Sequence, residues 1–412
     1  MSQLGGTMPK QGSESAAMRW IKRTLVNIAL LLGSTVLALS LCELGCRMFL
    51  NPADYLSQDP VPDPILGAVL KVHGSGYDAW GFRNPKVPSS VDIVAIGDSH
   101  TFGNCAKMNE SWPYVVGRLT GKSVYNMALG GYGPNQYDYL LKTKALSLKP
   151  KMIICGLYLG DDFENAYKIT YGLDYWSYLR ERPAEKVDFD IWEHPADPTW
   201  DKRVRNWLSR NSLVYKLVFH GSLLARLKGD VQIQNASRLY DSATALILKD
   251  KNICEAFLPT GILNRLDQTN PGVQEGMRIT FRLLDDMNQI CRANNIEFVV
   301  AIIPPKEAVF ADYLEHNNNL PLSDVLDKLI ANERVAHEKV FEFFNKSGIR
   351  YVDTLPALKQ AVEHELYART AQDIHPNKNG YRVIAEAVAA DVRNQRGTAE
   401  NVPAGPGAAL QH

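Results

Sequence analysis

The sequence has no C-x-x-C pair among its six cysteines, no excess of either charge and no internal repeat. The first absence argues against a structural zinc site, which usually takes thiolates at that spacing. The second, 45 Lys and Arg against 45 Asp and Glu, removes the electrostatic footprint of a nucleic-acid binder, and no basic stripe interleaved with aromatics appears. No A-x-A site closes the one long apolar run, Leu25 to Cys42, and the residues before Cys42 and Cys46 do not suit lipoprotein processing. No motif calls for a metal or an organic cofactor.

What is present begins with that run. Its 18 residues carry no charge, and as a helix they would span roughly 27 Å, close to the hydrocarbon thickness of a bilayer. Arg19, Lys22 and Arg23 precede it, so the positive-inside bias keeps residues 1–24 in the cytoplasm and sends the remainder across. The expectation is a single-pass inner-membrane protein with an uncleaved anchor at 25–42 and an extracytoplasmic, periplasmic domain. Cys105, Cys155, Cys254 and Cys291 lie in that exported part, where three disulfide pairings are open and spacing selects none.

A Pro- and Gly-rich arm, 43–90, reads as a spacer packing partly on the domain. From Val91 strands alternate with helices: strands at Val91–Gly97, Ser123–Leu129, Met152–Leu159, Ile296–Pro305 and Ile349–Asp353, with helices near Ser111–Leu119, Asn135–Ser147, Val273–Ala293, Leu322–Asn345, Leu355–Leu366 and Asn377–Val392. This rhythm predicts an α/β domain over 91–393 with a flavodoxin-like parallel sheet and helices on both faces. An insert at about 168–270 interrupts it and carries Trp176, Trp192, Trp200 and Trp207, either shaping a substrate cleft or packing the insert onto its own sheet. The ends, residues 1–17 and 394–412, read as disordered.

In "VDIVAIGDSHTFGN" a buried β-branched run stops at Gly-Asp-Ser-His. Ligands bind at the carboxyl ends of such strands, and a nucleophile can be held there on a turn. Ser99 is the candidate, although small polar residues end many strands. A serine needs a base within hydrogen-bond reach and an acceptor to orient that base. His375 in "AQDIHPNKNGY", with Asp373 two positions before it, can supply both, while an ordinary helix start accounts for the same Asp, Pro and Asn. His337 sits in a charged helix, "ERVAHEKV", and has a bland explanation there. "NMALGGYG" offers the backbone of Gly130 and Gly131 to a developing oxyanion, and "YLGDDFENA" brings Gly160, Asp161, Asp162 and Asn165 to the same edge.

These blocks resemble the SGNH (GDSL-type) hydrolase superfamily, in particular its bacterial membrane-anchored esterase and O-acetyltransferase-like branch. The resemblance covers about Val91 to Asp162 and Ile296 to Val392. It implies the flavodoxin-like fold, Ser99 as nucleophile and oxyanion donor, Gly131 as second donor and His375 as base. Two departures stand out. Asp161 occupies the place of the family's oxyanion-donating Asn, and an ionised carboxylate cannot donate. The acid lies two rather than three residues before the histidine, with Gln372 at the usual place, as in the D-x-H of membrane-linked polysaccharide O-acetyltransferases.

The expected function is a membrane-anchored serine esterase or O-acyltransferase acting on ester or acylated carbohydrate, its bilayer contact made through the N-terminal helix and a membrane acyl-transfer protein as a prospective partner. A lipase or thioesterase would share the chemistry and differ in acyl-chain preference. The alternative class is a catalytically weak binding or assembly protein that keeps the fold, and Asp161 is the residue that favours it.

Overall fold

The computed structural model describes residues 16–183, 199–220, 222–235, 238, 244–248, 253–315, 324–370 and 373–399. In chain order the elements are α1 (Ala16–Phe49), β1 (Pro60–Asp63), β2 (Gly67–Leu70), β3 (Ile93–Gly97), α2 (Ser99–Phe102), α3 (Trp112–Thr120), β4 (Val124–Ala128), α4 (Pro134–Thr143), β5 (Met152–Tyr158) and α5 (Asp162–Gly172). There follow α6 (Trp200–Asn211), α7 (Leu213–His220), α8 (Ser222–Gln234), β6 (Thr244–Leu248), β7 (Ile253–Phe257), α9 (Pro259–Leu266) and α10 (Pro271–Ala293). The chain continues through β8 (Glu297–Ile303), α11 (Lys306–Glu315), α12 (Asp324–Ser347), β9 (Arg350–Asp353), α13 (Leu355–Gln360) and α14 (Lys378–Ala399).

Five strands form one sheet in the order β4-β3-β5-β8-β9, all parallel. Side chains alternate between its faces with the period-two geometry of a strand. Val94 and Ile96 of β3, with Phe298, Val300 and Ile302 of β8, meet α4, α10 and α12 on one side. Ile93 and Ala95, with Val299, Ala301 and Ile303, meet α3, α11 and α14 on the other. Burial on both faces is why these strands read as unbroken apolar runs. The chain leaves β3 toward β4 and returns to its other side as β5, so the carboxyl end of β3 lies where ligands bind in open α/β sheets.

The structure differs from the sequence expectation in four places. The arm does more than pack partly on the domain: β1 and β2 pair as an antiparallel hairpin, and Leu66, Leu70, Tyr77 and Phe82 join the main core. The insert contains an antiparallel hairpin, β6 with β7, that the sequence reading did not contain. The helix expected over Leu355–Leu366 ends at Gln360, and the last helix runs through Ala399, past the expected start of the tail. Residues 1–15, 400–412 and Trp192 lie outside the described residues. All six cysteines are free. The apolar helix α1 is longer than the uncharged run and is unburied across its most apolar stretch.

His337, in a helix that reads as charged, is buried on α12 between Glu333 of its own helix at 3.2 Å and Asp353 at the end of β9 at 3.4 Å. Burial disfavours its charged form, but the two carboxylates outweigh burial and raise its pKa from 6.5 to about 9. A raised folded-state pKa stabilises fully below the unfolded value and loses that stabilisation as pH rises through about 9. At about 1.36 kcal/mol per unit the contribution is on the order of 3 kcal/mol. The melting temperature of the full chain in detergent should therefore drop between about pH 7 and about pH 10, and His337→Gln should flatten that drop. An unchanged slope in the variant would remove His337 as its source.

Candidate active site

The run that ends at Gly97 does so for a steric reason. Gly97 and Gly156 are register partners on β3 and β5, and a Cβ built on either would stand 2.1 Å from Thr101 Oγ1. Only two bare strand ends leave room for α2 to turn back over the sheet. Asp98 caps that short helix by accepting from the His100 N–H at 2.9 Å, and Asn126 of β4 donates to the Thr101 carbonyl at 2.7 Å. Ser99 is thereby fixed at the first position of the helix.

His375 reaches the same edge from the far end of the chain. Its loop is tied back by a bridge between Tyr367 and Pro376 and by the Ala368 N–H donating to the His375 carbonyl at 3.0 Å. Asn377 Nδ2 donates to the carbonyls of Glu365 and Tyr367, while its Oδ1 accepts from Asn379 N–H at the start of α14. Asp, Pro and Asn thus do build an ordinary helix start, and that start positions the imidazole. His375 Nε2 lies 2.7 Å from Ser99 Oγ, and Nδ1 lies 2.7 Å from Asp373 Oδ1. The same Asp373 oxygen accepts the His375 backbone N–H at 2.9 Å. Asp373 is mostly buried, which favours its neutral form, but the bonds and charge of His375, with the Cys105 thiol, hold its carboxyl well below the usual range. An ionised Asp373 only accepts, so Nδ1 carries the proton and Nε2 is free to receive the Ser99 hydroxyl.

Gly131, in the left-handed region at φ 77°, and Gly130, whose Cβ position would be 3.6 Å from Ser99 Cβ, form a backbone turn beside the serine. Among the described residues, neither the Ser99 nor the Gly131 N–H has an acceptor. Asp162 is structural: it accepts from Tyr137 Oη at 2.8 Å and the Tyr158 N–H at 2.9 Å. Asp161, in contrast, is met by Arg265 of α9, which donates to it and whose Nε also lies 2.9 Å from Glu164. Burial pushes the Asp161 carboxyl up and the Arg265 charge pulls it down, with Asp98 and His100 close enough to contribute.

Four contributors were not legible in the sequence. His100 is buried, stacks on Tyr158 at 3.7 Å between centroids and sits 4.7 Å from the His375 ring. Burial lowers its pKa, with Asp98 opposing, so it places no second cation beside an imidazolium. Lys306, also buried, donates to the Asp373 carbonyl at 3.1 Å and lies 3.9 Å from Glu255. Cys105 donates to Asp373 Oδ2 at 2.9 Å. Arg265 belongs to the insert. Cys105, Asp373 and His375 hold donor atoms within 4.8 Å of one another, yet each is already turned on its neighbour as a relay of hydrogen bonds ending at Ser99.

Of the insert's tryptophans, Trp176 is buried and donates to the Ile65 carbonyl at 2.8 Å, packing the insert against the arm. Trp200 and Trp207 are exposed.

Residues 264–406 match a family described as an SGNH hydrolase-like domain, acetyltransferase AlgX. The matched stretch includes Asp373 and His375 and begins after Ser99. No curated protein matches. Solved structures similar to this chain include the acetylxylan esterase Axe2 from Geobacillus stearothermophilus, 10% identical with TM-score 0.36, covering 74% of this chain and 95% of that one. A GDSL-like lipase from Bacteroides thetaiotaomicron VPI-5482 is 10% identical with TM-score 0.33, covering 75% and 93%. The α/β hydrolase LAE5 from the metagenome of Lake Arreo, Spain, is 11% identical with TM-score 0.35, covering 74% and 95%.

Proposed function

We propose, from the match of residues 264–406 to an SGNH hydrolase-like family, that this chain is a membrane-anchored, extracytoplasmic serine esterase or O-acyltransferase whose substrates are O-acetylated carbohydrates. The observation that carries this reading is the unbroken line from Asp373 through His375 to Ser99 Oγ. Ser99 Oγ bonds to the ester carbonyl carbon as its proton passes to His375 Nε2, and the resulting oxyanion rests on the N–H groups of Ser99 and Gly131. His375 then protonates the departing alkoxide, leaving an acyl-serine. Water or a sugar hydroxyl gives its proton to His375, attacks the acyl carbon and frees Ser99. Hydrolysis and transfer share this intermediate and differ only in which acceptor reaches it. The acetyltransferase description of the matched family supports an acetyl group as the acyl unit, and α1 supports the anchor. A fluorophosphonate should modify the full chain at the peptide containing Ser99; modification at another serine, or none, overturns the assignment.

Asp161 favours the second reading, a weakly catalytic binding or assembly protein, because its carboxylate replaces a donor. The Arg265 guanidinium answers that objection by neutralising it. Arg265→Ala should lower kcat on an aryl acetate by about tenfold to a hundredfold by leaving a bare carboxylate near the oxyanion. Adding Asp161→Asn should restore most of the loss. Two unchanged rates would exclude this pair from transition-state stabilisation.

A further inference from the structure

The exposed tryptophans of α6 have no role in the site, and their placement is not random. Trp200, Val204 and Trp207 recur at i, i+4 and i+7, which puts them on one helix face, and all three are exposed, the tryptophans by 79% and 62%. No residue of α6 is buried. The helix also carries Lys202, Arg203, Arg205 and Arg210 against the single acid Asp201. A short polar helix, rich in Arg and Lys, with one aromatic stripe is the composition of a segment lying in a membrane interface. Tryptophan in particular favours the headgroup level.

The junction with α1 sets the height. Glu43 of α1 accepts from Ser212 Oγ and from the N–H groups of Leu213 and Val214, each at 3.1 Å, and so caps α7. Arg47 of α1 donates to the Asn211 carbonyl at the end of α6 at 2.7 Å. The corner between α6 and α7 is therefore fastened to α1 between one and five residues past Cys42, which is at most roughly 8 Å of helix rise. The interfacial layer on one side of a bilayer is about 5–8 Å thick. Arg210 paired with Asp59 at 3.1 Å and the Ser57 N–H on the Ser209 carbonyl at 2.9 Å fix the same corner to the arm.

We propose that α6 lies in the headgroup region of an anionic bilayer beside α1, with Trp200, Val204 and Trp207 turned toward the acyl chains and its basic residues other than Arg210, which holds Asp59, on the side of the lipid phosphates. The domain is then held at two points rather than swinging from one helix. This rests on the anchoring by α1 proposed above, and its test separates the two.

The test reconstitutes the full chain in phosphatidylglycerol and phosphatidylcholine vesicles containing lipid brominated high on the acyl chain, and compares it with Trp200→Phe/Trp207→Phe. The emission that disappears in the double variant should be quenched at least about twofold by the brominated lipid and shielded from aqueous iodide. Quenching should weaken in phosphatidylcholine alone; equal quenching there overturns the anionic preference. Difference emission quenched by iodide and not by bromine overturns the proposal. Emission shielded from both would mean a protein surface, a second copy or another chain, covers the stripe, and overturns it equally. A chain that does not float with the vesicles overturns the anchoring as well, whereas a floating chain with unquenched tryptophans overturns this inference alone.

Discussion

Alanine at position 99 should bring aryl acetate hydrolysis by the full chain down to the background of the solution, a fall of about a thousandfold or more. The substitution deletes the Ser99 Oγ, placed 2.7 Å from His375 Nε2, which is the proposed acyl carrier. Ser99 is half-buried on a helix held from Asp98, Asn126 and the glycine pair, so the variant should melt at the parent temperature, and the loss will report chemistry rather than folding. His375→Ala should cost about as much, and combining the two should add little, because nucleophile and base act as one unit. Asp373 stays ionised far below the usual carboxylate range, so it keeps accepting from His375 Nδ1 as pH falls. A Ser99→Ala rate equal to the parent would defeat the serine mechanism.

The largest stability effect should come from Arg83, a residue of the arm. Its guanidinium is buried and donates to the carbonyls of Phe102, of Gly103 at 2.9 Å and of Ala106 at 3.1 Å, with the Phe102 ring centroid 4.1 Å from its carbon. Asp54 lies 3.9 Å away. Arg83→Ala takes a donor from three carbonyls, those of Phe102 and Gly103 buried and that of Ala106 half-buried, and leaves Asp54 without its guanidinium, a defect of about 3–5 kcal/mol. A melting temperature lower by several degrees is the expected reading. Activity should fall too, since residues 102–106 join Ser99 to Cys105, the donor on Asp373 Oδ2. Arg83→Lys should recover only part, because an ammonium cannot present the planar fork that meets several carbonyls at once. A stable, fully active Arg83→Ala would show that the arm is dispensable to the nucleophile turn.

The parallel sheet was legible because its strands are buried on both faces, so that Ile93 to Gly97 and Phe298 to Ile303 read as short apolar runs between helices. The blocks holding Ser99, Gly131 and His375 were legible because each marks a local break at a strand end or helix start. The partners of those blocks were not. Arg265 meets Asp161 from 104 positions away, and Lys306 reaches the Asp373 carbonyl from 67. No periodicity connects such pairs, since only the folded sheet brings their termini together. The extent of the arm's packing was hidden for a related reason: its Pro and Gly content describes turns, while its burial is decided by the surface that Tyr77, Phe82 and Arg83 find. His337 shows that a helix that looks charged in sequence can turn one of its polar residues inward toward two carboxylates.

Thr101 limits what substitution can do to the two strands beside it. Its hydroxyl fills at once the volumes that side chains on Gly97 and Gly156 would need. Enlarging either wall of this slot evicts the same occupant, and the displaced turn carries the Ser99 oxygen with it. A change at one wall has no remedy at the other; only shrinking the threonine itself would make space, at the expense of the contact that seats the turn.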